Sequence, residues 1–155
     1  MSDTQLPIII DPESVKALFN QKNIAIIDLC QAETYIQNHI PGAVFLEYGW
    51  IVRADKPRMG LLPDVEQLSR ILSAYGIAPD THVIAYDDEG GGRAARFLWT
   101  LDCVGHHHYS LINGGLHAWA NEGHEMTNEI HFPNPTTRVV QMNDQPLADK
   151  QYILD

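Results

Sequence analysis

Two short runs made almost wholly of β-branched and aliphatic residues, Ile24 to Leu29 and His82 to Tyr86, constrain this fold most. Neither run alternates apolar with polar residues, so both faces of each strand must be covered. That requires helices on either side of a parallel sheet, and the segments between the strands supply them. Asp11-Pro12-Glu13 reads as an N-cap, a proline at the first helical position and an acid in the first turn. Its helix carries Val15, Leu18 and Phe19 on one face and is expected to end near Asn20. A second helix starts at Pro63-Asp64, places Val65, Leu68, Ile71 and Leu72 at core spacing, and closes near Gly76. A third runs from about Arg93 to Val104 with Gly105 as its stop, and a last one from Leu116 to Asn121. Further strands are expected at Pro7 to Ile10, Ala43 to Leu46 and Tyr109 to Ile112, with a short helical segment around Glu33 to Gln37. Residues 47–63 lack periodicity and contain Gly49, Pro57, Gly60 and Pro63, so a long surface loop is expected there. The whole pattern predicts an α/β domain with a doubly wound parallel sheet and helices on both faces.

Composition then narrows the function. With 155 residues, 45% of them hydrophobic, the chain can bury a core without metal or disulfides. A net charge of −10 argues against nucleic acid or an acidic membrane as partner. A small anionic substrate held in a local basic pocket remains compatible with it. Cys30 and Cys103 form neither a disulfide framework nor a zinc spacing, so a reducing cytoplasm is the expected compartment, with no metal and no cofactor. The N-terminus has no basic region followed by an apolar one, and no stretch reaches membrane-span length.

The composition changes beyond Gly123, where Pro133, Pro135 and Pro146 punctuate a polar stretch with one β-like run at Arg138 to Gln141. The expected division is a domain over 1–125, a linker over 126–146, and the first turns of a further domain over 147–155.

In open parallel sheets, reactive groups sit beyond the carboxyl ends of the strands. That edge collects Asp28-Leu29-Cys30, the 47–63 loop, the acidic glycine-rich loop Asp87 to Gly92, and Asn113-Gly114-Gly115. The 87–92 loop also opens a helix, whose first N–H groups and dipole favour an anion.

Asp28 inside an apolar strand, His39-Ile40-Pro41-Gly42-Ala43, and Asn113-Gly114-Gly115 followed by Trp119 together resemble the rhodanese superfamily. Three further stretches are similar to the N-terminal half of bacterial two-domain thiosulfate sulfurtransferases: Tyr86 to Gly92, Arg96-Phe97-Leu98-Trp99, and Gly60-Leu61-Leu62-Pro63. In that family the N-terminal domain is catalytically silent. The reactive cysteine lies in a C-terminal catalytic rhodanese domain, the implied partner here, which takes sulfur from thiosulfate and passes it to a thiophilic acceptor such as cyanide. Active loops hold the cysteine thiolate at the first loop position within backbone N–H groups. Asp87 stands at that position, followed by the vestigial loop Asp88, Glu89, Gly90, Gly91, Gly92 and Arg93. A carboxylate cannot carry a persulfide, and Asp88 and Glu89 would repel thiosulfate, so the chain alone is expected to be inactive. The alternative reading is a stand-alone rhodanese-like binding or regulatory module.

Other candidates carry less. Asp87 with Glu89 has the spacing of a phosphoryl-accepting acid pair, and Asp87, Asp88 and Glu89 could be magnesium ligands. Consecutive acids rarely converge, however, and a solvated acidic turn is the simpler reading. Cys30 is the one thiol able to approach the Asp87 loop, but a buried, inert thiol is preferred; Cys103 should be core. His106-His107-His108 is read as a polar surface loop, and His39 as orienting the turn before Pro41. Arg53, Lys56 and Arg58 form a small basic group. Trp119 is expected in the core, and so is Trp99, on the helix face opposite Arg96. Trp50, in irregular chain, reads as an interdomain contact together with Arg58.

Overall fold

The computed structural model describes residues 6–19, 21–51, 53–55, 58–61 and 65–141, with the backbone alone over 53–55 and 58–61. In chain order the elements are β1 (Ile9–Ile10), α1 (Pro12–Lys16), β2 (Ile24–Asp28), α2 (Ala32–Gln37), β3 (Val44–Phe45), β4 (Arg53–Asp55) and β5 (Arg58–Leu61). They continue with α3 (Val65–Ala74), β6 (His82–Tyr86), α4 (Gly92–Cys103), β7 (Tyr109–Ile112) and α5 (Gly115–Asn121). Five strands form one sheet in the order β1-β7-β6-β2-β3, every pair parallel.

The apolar runs have the two-sided burial that their lack of alternation demands. Ile27, Leu29, Val83 and Ala85 face Leu68, Ile71 and Leu72 of α3 and Phe97, Leu98 and Leu101 of α4. On the opposite face Ile26, Ile84, Tyr86, Ile10 and Ile112 meet Val15 of α1, Tyr35 of α2, and Leu116 and Trp119 of α5. A fully buried Ile or Leu contributes about 2–3 kcal/mol relative to exposure, so strands covered on one face only could not hold this sheet together.

Several sequence expectations need correction. Helix α1 ends at Lys16, well before Asn20. Asp11 caps it without a side-chain bond, and its Oδ1 accepts from Asn113 Nδ2 at 3.2 Å. The 47–63 segment is not structureless: Tyr48–Ile51 makes a 3-10 turn, and β4 and β5 pair antiparallel. Ile51 is fully buried and ties that excursion to the core. Trp99 is only half-buried and does not lie opposite Arg96, whose guanidinium sits 4.8 Å from the indole centroid. Three residues along a helix is nearly one turn, so the two side chains share a face. Finally, His106 is 2% exposed and not part of a polar surface loop, whereas His107 and His108 are exposed.

The stretch expected as a linker is bound to the domain as far as Val140. Thr127 exchanges backbone hydrogen bonds with His39 at 2.8 and 2.9 Å, and Trp119 Nε1 donates to Glu125 O at 2.8 Å. The two ring nitrogens of His39 lie 2.7 Å from Tyr35 O and Glu129 O. Further on, no strand forms at 138–141. The amides of Thr136, Arg138 and Val140 instead donate to Ser73 O, Ser73 Oγ and Ser69 Oγ on α3, at 2.8 to 3.0 Å. Val140 joins the α3–α4 core at 5% exposure. The expected further domain over 147–155 lies outside the described residues, as do Leu62 and Pro63.

Candidate functional site

Strand β6 ends at Tyr86, so Asp87 emerges at the carboxyl edge of the sheet, directly before the loop into α4. Gly90 and Gly91 both take positive φ, 84° and 95°. That backbone turn, cheap only for glycine, aims successive N–H groups inward. The Asp87 carboxylate fills the resulting cradle. Its Oδ1 accepts from the amides of Glu89 and Gly91, each at 2.8 Å, and its Oδ2 from Ala94 N at 2.9 Å in the first turn of α4. The residue is 1% exposed. The cradle is closed behind by the β7–α5 turn: Leu116 N donates to Asp87 O at 3.1 Å, and a Cβ on Gly115 would stand 2.5 Å from that oxygen.

A second buried carboxylate supports the neighbouring strand. Asp28 pairs in register with Tyr86 across β2 and β6. The Tyr86 hydroxyl donates to Asp28 Oδ2 and accepts from Ile40 N at 3.2 Å, while Cys30 N donates to Asp28 Oδ1 at 2.8 Å. Burial pushes the Asp28 carboxyl above its ordinary range, and the hydrogen bonds from Tyr86 and Cys30 offset only part of that. Burial also pushes the Cys30 thiol up strongly, and the carboxylates of Asp28 and Asp88 push it further. Cys30 is therefore a 2% exposed, un-ionised thiol in a negative surround. Cys103 is fully buried in α4.

The three acids of the loop do not act as one negative mouth. Asp87 is saturated inward. Glu89 points outward, where Gln31 Nε2 donates to it at 3.0 Å and Arg93 Nε lies 3.5 Å away. The Arg93 guanidinium also sits 5.1 Å from the Tyr48 ring centroid. Asp88 has a buried Oδ1 without a hydrogen-bond partner, and its carbonyl faces His117 Nε2 at 3.1 Å. Among the described residues, no group of three or more His, Cys, Asp or Glu side chains could hold a metal ion. Of the expected contact residues, Trp50 is 50% exposed, and Arg58 is placed in β5 with its side chain outside the described set. Tyr86 is the site residue that sequence reasoning missed. Its signal was available: a tyrosine closing an apolar strand, on the strand beside the one that carries Asp28.

A parallel sheet that delivers one side chain into a glycine-built amide cradle at a helix start defines a class of α/β domains made to hold an anionic group. The chain belongs to the Rhodanese-like domain family, whose profile matches residues 11–122. It is 35% identical over 150 residues to the thiosulfate sulfurtransferase of Pseudomonas aeruginosa, covering 97% of this chain and 55% of that protein. The thiosulfate sulfurtransferase of Azotobacter vinelandii is 36% identical over 149 residues, with 96% and 55% covered. The chain thus spans about half the length of the curated relatives it matches. Among solved structures, the 3-mercaptopyruvate sulfotransferase SseA from Escherichia coli shares the fold with a TM-score of 0.78 at 22% identity, over 95% of this chain and 63% of that one.

Proposed function

We propose that this chain is the non-catalytic, N-terminal rhodanese domain of a cytoplasmic thiosulfate sulfurtransferase, acting by packing on a catalytic domain. The observation that carries this reading is the Asp87 carboxylate with all three cradle amides bound to it. In a sulfur-transferring loop those amides surround a thiolate, which attacks the outer sulfur of thiosulfate and expels sulfite. The resulting persulfide hands its sulfane sulfur to a nucleophile such as cyanide and regenerates the thiolate. A carboxylate can take neither role, and here it uses the donors that would stabilise such an intermediate. Cys30, un-ionised and buried, offers no substitute. The exposed Trp50, with Arg58, would form part of the contact with the catalytic domain, one wall of whose cleft this domain would shape.

The test is thiosulfate:cyanide sulfur transfer by the isolated chain. We expect no thiocyanate above the uncatalysed background, in the native chain and in Cys30→Ser alike. Turnover by the native chain that disappears in Cys30→Ser would overturn the reading. Asp87→Cys should not become a fast enzyme either, because Asp88, the next residue in the chain, keeps a buried carboxylate oxygen without a partner. Efficient turnover by that variant would refute the electrostatic part of the case.

A further inference from the structure

Far from the Asp87 loop, where β6 begins, a buried imidazole meets the segment that wraps back over α3. His106 Nε2 lies 2.9 Å from Thr81 O, so this nitrogen carries the proton and donates. Nδ1 is then a lone pair, and it faces Arg138 Nη1 at 3.4 Å. The same Arg138 nitrogen donates to Ile77 O at 2.9 Å, just after α3. Arg138 belongs to the 136–140 segment that hangs on Ser69 and Ser73, and Val140 plugs into the core two residues later. One neutral imidazole therefore links the β6 start, the end of α3 and the returning segment.

We propose that His106 and Arg138 form a proton-operated latch: neutral His106 holds residues 136–140 against α3, and a proton on Nδ1 releases them. Protonation converts an acceptor facing a guanidinium into a second cation facing it, at hydrogen-bond range, with the ring buried and Arg138 partly exposed. The remaining groups around His106 act in both directions. His108, from the same loop, lies edge-on with ring centroids 6.0 Å apart. His82, at the start of β6 and bound to Ser110 Oγ at 2.8 Å, also feels the charge of both His106 and His108. The backbone of Thr81 and, more weakly, that of His108 favour the charged ring, and both are outweighed. Burial first, and the Arg138 charge second, hold His106 at about 4 against an ordinary 6.5. A base depressed in the closed state keeps its latch closed above the open-state value and loses it as pH falls. The closed-to-open ratio should thus drop by up to about tenfold per pH unit between 6.5 and 4. This proposal is independent of whether the domain transfers sulfur.

The experiment is amide hydrogen exchange of the whole chain at pH 7.5, 6 and 5, corrected for intrinsic rates, following Arg138 and Val140 against Ile84 in the central strand. We expect protection at 138 and 140 to fall between pH 6 and pH 5 by up to about tenfold, and by more than any loss at Ile84, which reports global unfolding. In His106→Gln, which cannot take the proton, that fall should vanish. Equal losses in the native chain and His106→Gln, or no pH dependence in the native chain, would overturn the latch. Arg138→Met gives a second reading by NMR: the His106 ring should titrate closer to 6.5 once the guanidinium is gone. An unmoved midpoint would also overturn it.

Discussion

Replacing Asp87 with asparagine changes almost no volume and tests whether the cradle is held by charge. In the native domain both carboxylate oxygens accept: Oδ1 from Glu89 N and Gly91 N, Oδ2 from Ala94 N. A hydrogen bond to a charged group contributes about 1.5–3 kcal/mol, against about 1 for a neutral pair. Asparagine can keep its oxygen on the first two amides, but its NH2 then opposes the Ala94 N–H, donor against donor. Two bonds weaken and a third becomes an unsatisfied buried donor at the N-terminus of α4, where a negative charge is also lost. We expect a total cost of about 2–4 kcal/mol, reported by urea unfolding at pH 7.5 as a lower midpoint with an unchanged slope. Asp87→Ala should cost at least as much unless water enters the cradle. A loss below about 0.5 kcal/mol in Asp87→Asn would refute the claim that this carboxylate organises the loop, because surface changes alone reach that size.

Two further outcomes follow from the same geometry. Gly115→Ala should destabilise by more than about 2 kcal/mol, since its Cβ would meet Asp87 O at 2.5 Å at a φ of +58°; Gly90→Ala, at φ +84° with open space around it, should cost only about 1 kcal/mol. Equal costs in thermal melts would mean that the β7–α5 turn does not close the cradle. Stability should also depend on acid: burial holds His82 and His106 at about 4 from an ordinary 6.5, so the unfolded chain binds more protons between these values. Stability is therefore complete above 6.5 and falls as pH drops through 4, by about 1 kcal/mol per pH unit once partial solvation is allowed for. A flat urea midpoint from pH 7 to 5 would contradict those shifts.

Local signals marked the strands, the α3 and α4 cores and the Asp87 position, because each rests on neighbours a few residues apart. Ile26 and Ile27, and Ile84 and Ala85, were bound to face opposite ways once strands were assigned, and both faces are indeed core. Where local signals failed, a distant contact took over. His106 resembles any surface histidine until Arg138 and Thr81 are placed beside it, and residues 136–140 look like linker until Ser69 and Ser73 are placed beneath them. The β4–β5 hairpin has no alternating pattern to announce it, and its pairing is a property of two strands together.

By itself, then, the order of residues determined a parallel α/β domain and put the carboxylate of Asp87 at the end of a central strand, before a glycine-rich loop, since strand type and loop position follow from short-range pattern. Only the tertiary structure decided what that carboxylate does. The amides of Glu89, Gly91 and Ala94 converge on Asp87 because two left-handed glycines bend the loop back on itself, and the turn at Gly115 packs against its carbonyl. Convergence of donors on one buried group depends on distances in space, which spacing along a chain does not specify.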